Sequence, residues 1–466
     1  MSSCYETTDS LGHAMLGHAE LGDQRRTARL VTTFDQMHRH PGGTLPDKLA
    51  SPADLKGLYR LCRATAVTHA AIVAAMRNYT LERIAAHGPV LVVHDSTELD
   101  YSSLESLAPH LGQIGKGTHR GYICQNVLAV DPTTGELLGL LDQMLHCRDE
   151  VPEGQTLTEH RNRETRESLL WVKGTTHLPE DIRLIDVADQ GASTFEFLEH
   201  EYKSGRRFVI RNGKVRKAHG GHQPDAPKEY LKEYVQSLPE LGRFIMDVQG
   251  QKGRKARKRA EFALRGGPIL LLPPHAKHGH HGDDPLPIYV TYVSEVSSPP
   301  RGDKPIDWML LTNEPVVTFE DAWRVVEWYE QRWVIEEYHK AMKTGCRIED
   351  LQFTAVERLQ PAIALLSAVS LTLLNLRDAA RHPDAKKRRA TALFAAEYIE
   401  VLSFWRYRKL RTDLTIHDFF YALARLGGHQ NRRSDHRPGW LILWRGWAKL
   451  QNMLDGYLLA QRKNVG

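Results

Sequence analysis

Five short apolar runs, rich in β-branched residues, constrain the fold of this chain more than any other feature of its sequence. They span residues 89–93, 122–130, 137–141, 182–187 and 208–211. Runs of this length and composition predict strands that are largely buried. The segment 131–135, which contains Asp131, Pro132 and Gly135, predicts a turn between the second and third runs, so these two are expected to form a hairpin.

The order of these runs along the chain predicts a mixed β-sheet. Three strands come first, a helical segment near Glu164 to Val172 follows, and two further strands complete the set. This is the order of strands in a sheet of the ribonuclease-H type, so we expect an α/β fold of that class. Helical periodicity from Leu11 to His87 precedes the sheet, and mostly helical sequence continues to Gly466.

The region between residues 212 and 316 breaks this pattern. It is rich in Gly and Pro and holds short β-prone runs, which predict a β-rich insertion. A strongly amphipathic helix is then expected from Phe319 to Lys343. We therefore divide the 466 residues into a helical amino-terminal domain (1–75), a ribonuclease-H-like domain (76–370) with its insertion, and a helical carboxy-terminal domain (371–466).

The composition is that of a globular protein, because 41% of the residues are hydrophobic and 26% are charged, which excludes collagen-like and wholly disordered classes. The longest uncharged run, between Arg358 and Arg377, contains a proline and several polar residues, which favours a buried helix over a membrane span. No secretory signal is recognisable, so the cytoplasm is the expected location and no membrane partner is expected. Five scattered cysteines without a C-x-x-C pair predict neither a disulfide framework nor a zinc ribbon.

Positive charge is concentrated in one part of the chain. Residues 201–260 hold 16 Lys/Arg against 6 Asp/Glu, a net charge of +10, whereas the whole chain carries only +5. The densest stretch contains six basic residues: Lys252, Arg254, Lys255, Arg257, Lys258 and Arg259. Such a run predicts a loop that binds a polyanion such as nucleic acid, although it is also typical of a solvated surface.

Acidic and basic residues occur where a catalytic site is expected. Asp95 and Asp189 each follow an apolar run, and neighbouring strand ends bring such carboxylates together. The expected helix then presents five residues at spacings of 3, 4, 4 and 3, which places them on one face. These are Tyr329, Arg332, Glu336, Lys340 and Lys343.

Three converging carboxylates repel one another unless cations lie between them. Their hard oxygen ligands suit Mg²⁺, or Mn²⁺ as a substitute. Two such ions activate a water and stabilise the leaving oxygen of a phosphodiester. Each acid taken alone is also typical of a turn, and the helix face is typical of solvated i,i+4 pairs, so only the combination favours a site.

The stretch from Tyr329 to Gly345 resembles the Tyr-x2-Arg-x3-Glu-x6-Lys signature of the insertion-sequence-four family of DDE transposases. The resemblance extends over nearly the whole chain. It also includes segments 21–30, 308–315, 424–428 and 454–456, Trp447, and the surroundings of Asp95 and Asp189.

This resemblance implies a cut-and-paste DNA transposase. It implies that Asp95, Asp189 and Glu336 form a catalytic triad that binds Mg²⁺. In the family, a water cuts one strand to leave a 3′-hydroxyl, that hydroxyl forms a hairpin, a second water resolves it, and strand transfer into target DNA follows. The implied partners are double-stranded DNA, as inverted-repeat transposon ends and as target, and a second copy of the chain in a paired-end complex.

Several residues are expected to contact DNA. The resemblance implies that Tyr329, Arg332, Lys340 and Lys343 hold phosphates, that Trp308 accommodates a flipped base, and that Arg211 also binds DNA. From its position alone, at the start of an apolar strand, Trp308 is more typical of a core residue. Three arginines follow Asp23, a plausible helix cap, and the resemblance places them in the unit that recognises transposon ends; they are Arg25, Arg26 and Arg29.

The second acid departs from the family pattern. The family often has Arg after this Asp and a further Asp later, whereas here the run is Asp189-Gln190-Gly191-Ala192-Ser193. Two other functions therefore stay open: a nuclease of this fold without strand transfer, and a DNA-binding relative without catalysis. Aromatic residues of the carboxy-terminal region, from Phe394 to Trp447, predict the surface that pairs two copies, or else a surface packed on the catalytic domain.

Overall fold

The computed structural model describes residues 10–463 except positions 50, 151, 153, 157, 160–161, 181–182, 249–255, 276–279, 433–434 and 436. Its helices are α1 (Leu11–Leu16), α2 (Gln24–Arg39), α3 (Leu45–Lys48), α4 (Pro52–Leu61), α5 (His69–Ile84), α6 (Leu169–Lys173), α7 (Phe195–Lys203), α8 (Leu231–Ser237), α9 (Phe319–Glu330), α10 (Trp333–Lys340), α11 (Val356–Arg381), α12 (Ala396–Tyr407), α13 (Ile416–Leu426) and α14 (Trp440–Lys463).

Twelve strands form one sheet in this part of the chain. They are β1 (Val90–Asp100), β2 (Gly112–Gln113), β3 (Arg120–Val130), β4 (Leu137–His146), β5 (Leu184–Ala188), β6 (Arg207–Arg211), β7 (Lys217–Gly220), β8 (Lys228–Tyr230), β9 (Gly242–Val248), β10 (Arg257–Leu271), β11 (Leu286–Glu295) and β12 (Asp307–Thr312).

The first half of the sheet has the expected ribonuclease-H order. The strands lie side by side as β4-β3-β1-β5-β6, with β1, β5 and β6 parallel and β3 antiparallel to both of its neighbours. The side chain of Asp131 closes the β3–β4 turn by accepting hydrogen bonds from the backbone N–H groups of Thr133 and Thr134, at 2.7 and 2.9 Å. The hairpin and the mixed α/β fold class are confirmed. The helix expected over residues 164–172 is shorter and spans only α6.

The insertion continues the same sheet. Strand β12 pairs antiparallel with β6, and β11, β10, β7 and β8 follow outward, while β9 also pairs with β10. The prediction of a basic loop in this region is partly wrong. Arg257, Lys258 and Arg259 belong to β10, and the Arg257 side chain, 9% exposed, forms ion pairs with Glu295 and Asp303. The other basic residues of that run, Lys252, Arg254 and Lys255, lie outside the described residues.

The expected helix from Phe319 to Lys343 is not continuous. It divides into α9 and α10 around Gln331 and Arg332, and a π-helical turn over Ala341–Gly345 follows α10. Between the helices, the backbone N–H groups of Arg332 and Val334 donate to carbonyls three residues back, at 3.1 Å each. The prediction of one continuous helix is therefore wrong at Gln331 and Arg332, while Arg332 and Glu336 still contact each other four residues apart.

Helix α11 is the central core element of the molecule. By length and composition it would pass as a membrane span, but 89% of its most apolar stretch is buried inside the protein, as expected for a core helix. It contacts α2 through Thr372, whose hydroxyl lies 3.0 Å from Nδ1 of His38. It also contacts β4, because the carboxylate of Asp378 accepts from the Leu137 N–H at 3.0 Å. One apolar core therefore extends from α1 and α2 across the sheet to α11.

The carboxy-terminal helices have a core of their own, and most of the predicted pairing surface lies inside it. Phe394 stacks on Phe419 with ring centres 4.0 Å apart, and Trp447 stacks on Tyr398 at 5.2 Å. Of the aromatic set only Phe404 belongs to the exposed residues, at 47%. The interpretation of the whole set as an interface is therefore wrong, because these rings hold α12, α13 and α14 together.

The division into three domains stays a prediction. The expected boundary at residue 75 falls inside α5 and the boundary at residue 370 falls inside α11. The cysteines match expectation in the described chain, where Cys62, Cys124, Cys147 and Cys346 are free. Cys4 lies outside the described residues.

Candidate active site

Sheet pairing brings the first two acids to the same level of the sheet. Asp189 directly follows β5, as expected, but Asp95 lies within β1, which continues to Asp100. In the parallel register His94 pairs with Ala188, so Asp95 and Asp189 are the next residues on adjacent strands. The longer β1 is explained by its antiparallel partner β3, which stays paired with it beyond the end of β5.

An arginine links the first acid to the third. Nη1 of Arg332 lies 2.8 Å from Oδ2 of Asp95, and its Nη2 lies 3.5 Å from Oε1 of Glu336. The Arg332 and Asp95 side chains are each 14% exposed, whereas Glu336 is 37% exposed. The turn between α9 and α10 therefore positions Arg332 between an acid of the sheet and an acid of the helix.

The electrostatics of Asp95 reflect this crowding. Burial raises its pKa to about 7, the Arg332 guanidinium opposes that rise, and the negative charges of Asp189 and Glu336 add to it. The single positive charge of Arg332 thus does not balance the negative charges of Asp95, Asp189 and Glu336. The site favours additional positive charge.

The donor set fits a hard divalent cation, since all three side chains offer carboxylate oxygens near a region of excess negative charge. Among the described residues no three His, Cys, Asp or Glu side chains are already arranged as a metal cluster. Arg332 occupies the position between Asp95 and Glu336. Its two ion pairs partly neutralise the acids in this arrangement.

Aromatic and basic residues lie beside the acids. Tyr329 is buried and its ring contacts that of Trp308 edge to face, with centres 5.7 Å apart. Burial raises the pKa of Tyr329, while the cations of Arg332 and Arg211 oppose the rise, so both arginines are close to this phenol. The structure thus groups Tyr329, Trp308, Arg211 and Arg332 around the same site.

The two lysines of the predicted helix face have separate environments. Nζ of Lys340 lies 5.2 Å from the ring centre of Trp333, which is itself 48% exposed. Nζ of Lys343, in the π-helical turn, lies 3.2 Å from Glu349, and that carboxylate also accepts from the Asp100 N–H at 3.0 Å. Lys343 is thereby tied to the end of β1 rather than to Glu336.

The departure after Asp189 has a structural counterpart. Oδ1 of Asp189 accepts from the Gly191 N–H at 2.7 Å, so this acid also caps a short turn. The buried Ser193 Oγ donates to Asn212 at 3.2 Å, and Nη2 of Arg216 donates to the Ser193 carbonyl at 2.6 Å. Ser193 therefore stands where the family pattern often has its second aspartate, and Arg216 contacts it.

A basic cavity of about 270 Å³ opens next to Arg211. Its lining includes Lys214, Arg216 and Lys232, of which Lys232 pairs with Asp307. Sequence reasoning missed these three residues individually, although the charge excess of 201–260 pointed to the region. It also missed the buried polar side chains of His94, Asn126, Asp186 and His339. Hydrophobic periodicity does not distinguish a polar residue that faces the core from one that faces solvent.

The three amino-terminal arginines lie at the start of α2, and Asp23 caps this helix as expected by accepting from the Arg25 N–H at 2.8 Å. The Arg25 side chain is 92% exposed and pairs with Asp23, while Arg29 pairs with Asp54 at 3.3 Å. Arg26 donates to the Leu21 carbonyl at 2.9 Å. All three side chains are held near the helix amino terminus, where anions bind favourably.

Comparison with known protein families gives one match in this region. Residues 12–67 match the transposase DNA-binding family. The match spans nearly all of α1 and the whole of α2, α3 and α4, and includes all three arginines. It supports a transposase role for the chain and DNA as its partner. The resemblance to the insertion-sequence-four family stays a prediction.

Proposed function

We propose that this protein is a metal-dependent DDE transposase that cuts DNA at inverted-repeat ends and joins the ends to target DNA. One observation carries the proposal: Arg332 bridges Asp95 and Glu336 beside Asp189, on a ribonuclease-H-type sheet. The transposase DNA-binding match at residues 12–67 supports it independently. The proposed setting is the DNA-associated cytoplasm.

In this proposal, Asp95, Asp189 and Glu336 hold Mg²⁺ or Mn²⁺, which activates the attacking oxygen and stabilises the leaving oxygen when bound. The positive charge of Arg332 reduces the repulsion between the acids, and its hydrogen bond orients the Asp95 carboxylate. Arg211, Tyr329, Lys340 and Lys343 bind phosphates near the cut.

Trp308 provides the aromatic surface for a base that leaves the helix during hairpin formation. Its ring is already packed on Tyr329, which fixes its orientation. Arg25, Arg26 and Arg29 contact the transposon end from α2. Joining two ends requires two active sites, so the working form is a dimer on DNA.

The test is cleavage of DNA that carries the inverted repeats flanking the gene, with Mg²⁺ or Mn²⁺ and the full-length protein. Asp189→Asn and Glu336→Gln should abolish cleavage while binding of the ends stays within about twofold, because phosphate contacts supply most of the affinity. Glu320→Gln, which changes an exposed acid of α9, is the matched control and should cleave normally. Normal cleavage by Asp189→Asn contradicts the proposal.

The products also separate the alternatives. Joined DNA and hairpin ends are expected for a transposase. Cleaved ends without joined products would indicate a nuclease of the same fold. A folded wild-type protein that binds the ends but never cleaves them with either metal would indicate a DNA-binding relative without catalysis.

A further inference from the structure

A buried amide lies directly opposite the first acid. Asn126 of β3 is the cross-strand partner of Asp95, so the two side chains are on the same face of the sheet. Its Nδ2 donates to Nε2 of His339 in α10, at 3.1 Å. His339 follows Glu336 by three residues, about one helical turn. The contact therefore joins the strand of one acid to the helix of another.

We infer that Asn126 and His339 are positioning residues that set the distance between Asp95 and Glu336. Backbone pairing of β1 with β5 already fixes Asp95 relative to Asp189. No such ladder fixes a helix, so the placement of Glu336 depends on how α10 docks on the sheet. Ligands of a site must be held within about 0.5 Å to act together, and this buried hydrogen bond supplies a direct polar link.

Both partners are well suited to a fixed contact. Asn126 is fully buried and His339 is 6% exposed. Because the amide nitrogen only donates, Nε2 of His339 must accept, which requires a neutral ring. Burial lowers the pKa of His339 to about 3, with Lys343 and Arg332 acting in the same direction, so the ring stays neutral at physiological pH.

The pair is supported from behind by further hydrogen bonds. Oδ1 of Asn126 accepts from Nε2 of Gln143 at 2.7 Å, and the same Gln143 nitrogen donates to the Ser367 hydroxyl at 3.0 Å. Tyr338 of α10 donates to the Ser367 carbonyl at 3.2 Å. His69 of α5 contacts Oε1 of Gln143 at 3.0 Å. A network satisfied in this way restricts each member to one orientation.

The inference rests on the proposed function, because it concerns the distance between two acids of the proposed metal site. Direct Mn²⁺ binding to the purified full-length protein, followed by electron paramagnetic resonance of the free ion, tests it without measuring cleavage. His339→Leu should weaken Mn²⁺ binding by up to about tenfold, because α10 loses its hydrogen bond to the residue opposite Asp95 and Glu336 is held less firmly. His339→Gln should recover most of the affinity, because its amide oxygen also accepts a hydrogen bond.

The control is Gln360→Leu. Gln360 of α11 donates to the Tyr122 hydroxyl of β3 at 3.1 Å, so this variant also removes a hydrogen bond between a helix and β3, but not one opposite an acid. Its melting temperature should fall as in His339→Leu, whereas its Mn²⁺ affinity should stay within about twofold of wild type. An equal decrease of metal binding in both variants would show a general effect of stability and overturn the inference.

Glu336→Gln separates the two proposals. If it binds Mn²⁺ as wild type does, the metal site of the proposed function is wrong. If Glu336→Gln loses binding and His339→Leu does not, only the positioning role is wrong. Should His339→Leu lack the wild-type circular dichroism spectrum, Asn126→Ser takes its place, because the shorter side chain cannot reach His339. Unchanged Mn²⁺ affinity in folded Asn126→Ser then overturns the inference.

Discussion

Replacing Arg206 by methionine should destabilise the protein next to its candidate active site. Asp186 of β5 is fully buried and receives two hydrogen bonds from Arg206, at 2.9 and 2.6 Å. Nε2 of His94 lies 2.6 Å from its other oxygen. The buried Glu201 lies nearby, and burial together with Asp186 raises the pKa of Glu201 well above its ordinary value. Without Arg206, the carboxylate of Asp186 would lack its main balancing charge.

Breaking a buried ion pair by removing one partner costs about 3–5 kcal/mol. For 466 residues, an unfolding entropy of about 2.1 cal/mol/K per residue amounts to about 1 kcal/mol/K, so the melting temperature should fall by about 3–5 °C. Arg243→Met is the matched control. Its partner Glu240 lies at 2.8 Å, but Arg243 is 48% exposed, and such surface pairs contribute about 0–1 kcal/mol.

The pH dependence sharpens this test. Burial by itself raises the pKa of Asp186, but Arg206 and His94 together hold it below the ordinary 3.8. A lowered pKa stabilises the folded state above pH 3.8, and that stabilisation is lost as the pH falls below it. The stability difference between wild type and Arg206→Met should therefore narrow in acid. Calorimetry between pH 7 and about pH 2.5 covers the range below 3.8 in which this stabilisation is lost. A fall no larger than that of Arg243→Met, or a difference independent of pH, would refute the reasoning.

Three further predictions concern DNA and metal. Replacing Arg25, Arg26 and Arg29 together by alanine should reduce the slope of log affinity against log salt by about 0.9 for each phosphate that the protein no longer binds, and an unchanged slope in filter binding would contradict end recognition by α2. Trp308→Ala should raise the activation barrier of hairpin formation by about 1–3 kcal/mol and leave first-strand nicking unaffected. Equal slowing of both steps in a gel assay would favour a core role. Mn²⁺ affinity should fall up to about tenfold per pH unit below about pH 7, because the proton on Asp95 competes with the metal. Asp95→Asn removes a proposed ligand of the metal and should therefore lose Mn²⁺ binding at every pH.

The fold was largely predictable because its strands are strongly apolar and come in a distinctive order. Residues 122–130 and 208–211 coincide closely with β3 and β6. The end of β1 was not predictable from hydrophobicity, since Asp95 and the polar residues after it continue the strand only through pairing with β3. A polar sequence stays extended there because a neighbouring strand supplies its backbone hydrogen bonds.

The site shows a similar division. The three acids were predicted from residue type and position, and Asp95 and Glu336 share one arginine; that they form a metal site stays a prediction. The break in the helix at Arg332 was not recognisable, because neither proline nor glycine marks it. The prediction that the carboxy-terminal aromatic residues form a pairing surface was wrong for a related reason. In the sequence, an aromatic residue such as Phe419 looks the same whether it faces a partner or its own core.

Helix α11 has a consequence for changing the specificity of this protein. His38 of α2, which lies in the segment that matches the transposase DNA-binding family, contacts Thr372. Gln143 of the sheet contacts Ser367, and the last turns of α11 enter the carboxy-terminal core through Leu376. The helices of residues 12–67 therefore share one apolar core with the rest of the molecule and are not an independent unit. A chimera that exchanges residues 12–67 for the matching segment of a different protein also exchanges one side of an apolar interface. Any change of binding preference in this region is therefore better made by substituting exposed residues of α2, such as Arg25, than by replacing the helices whole.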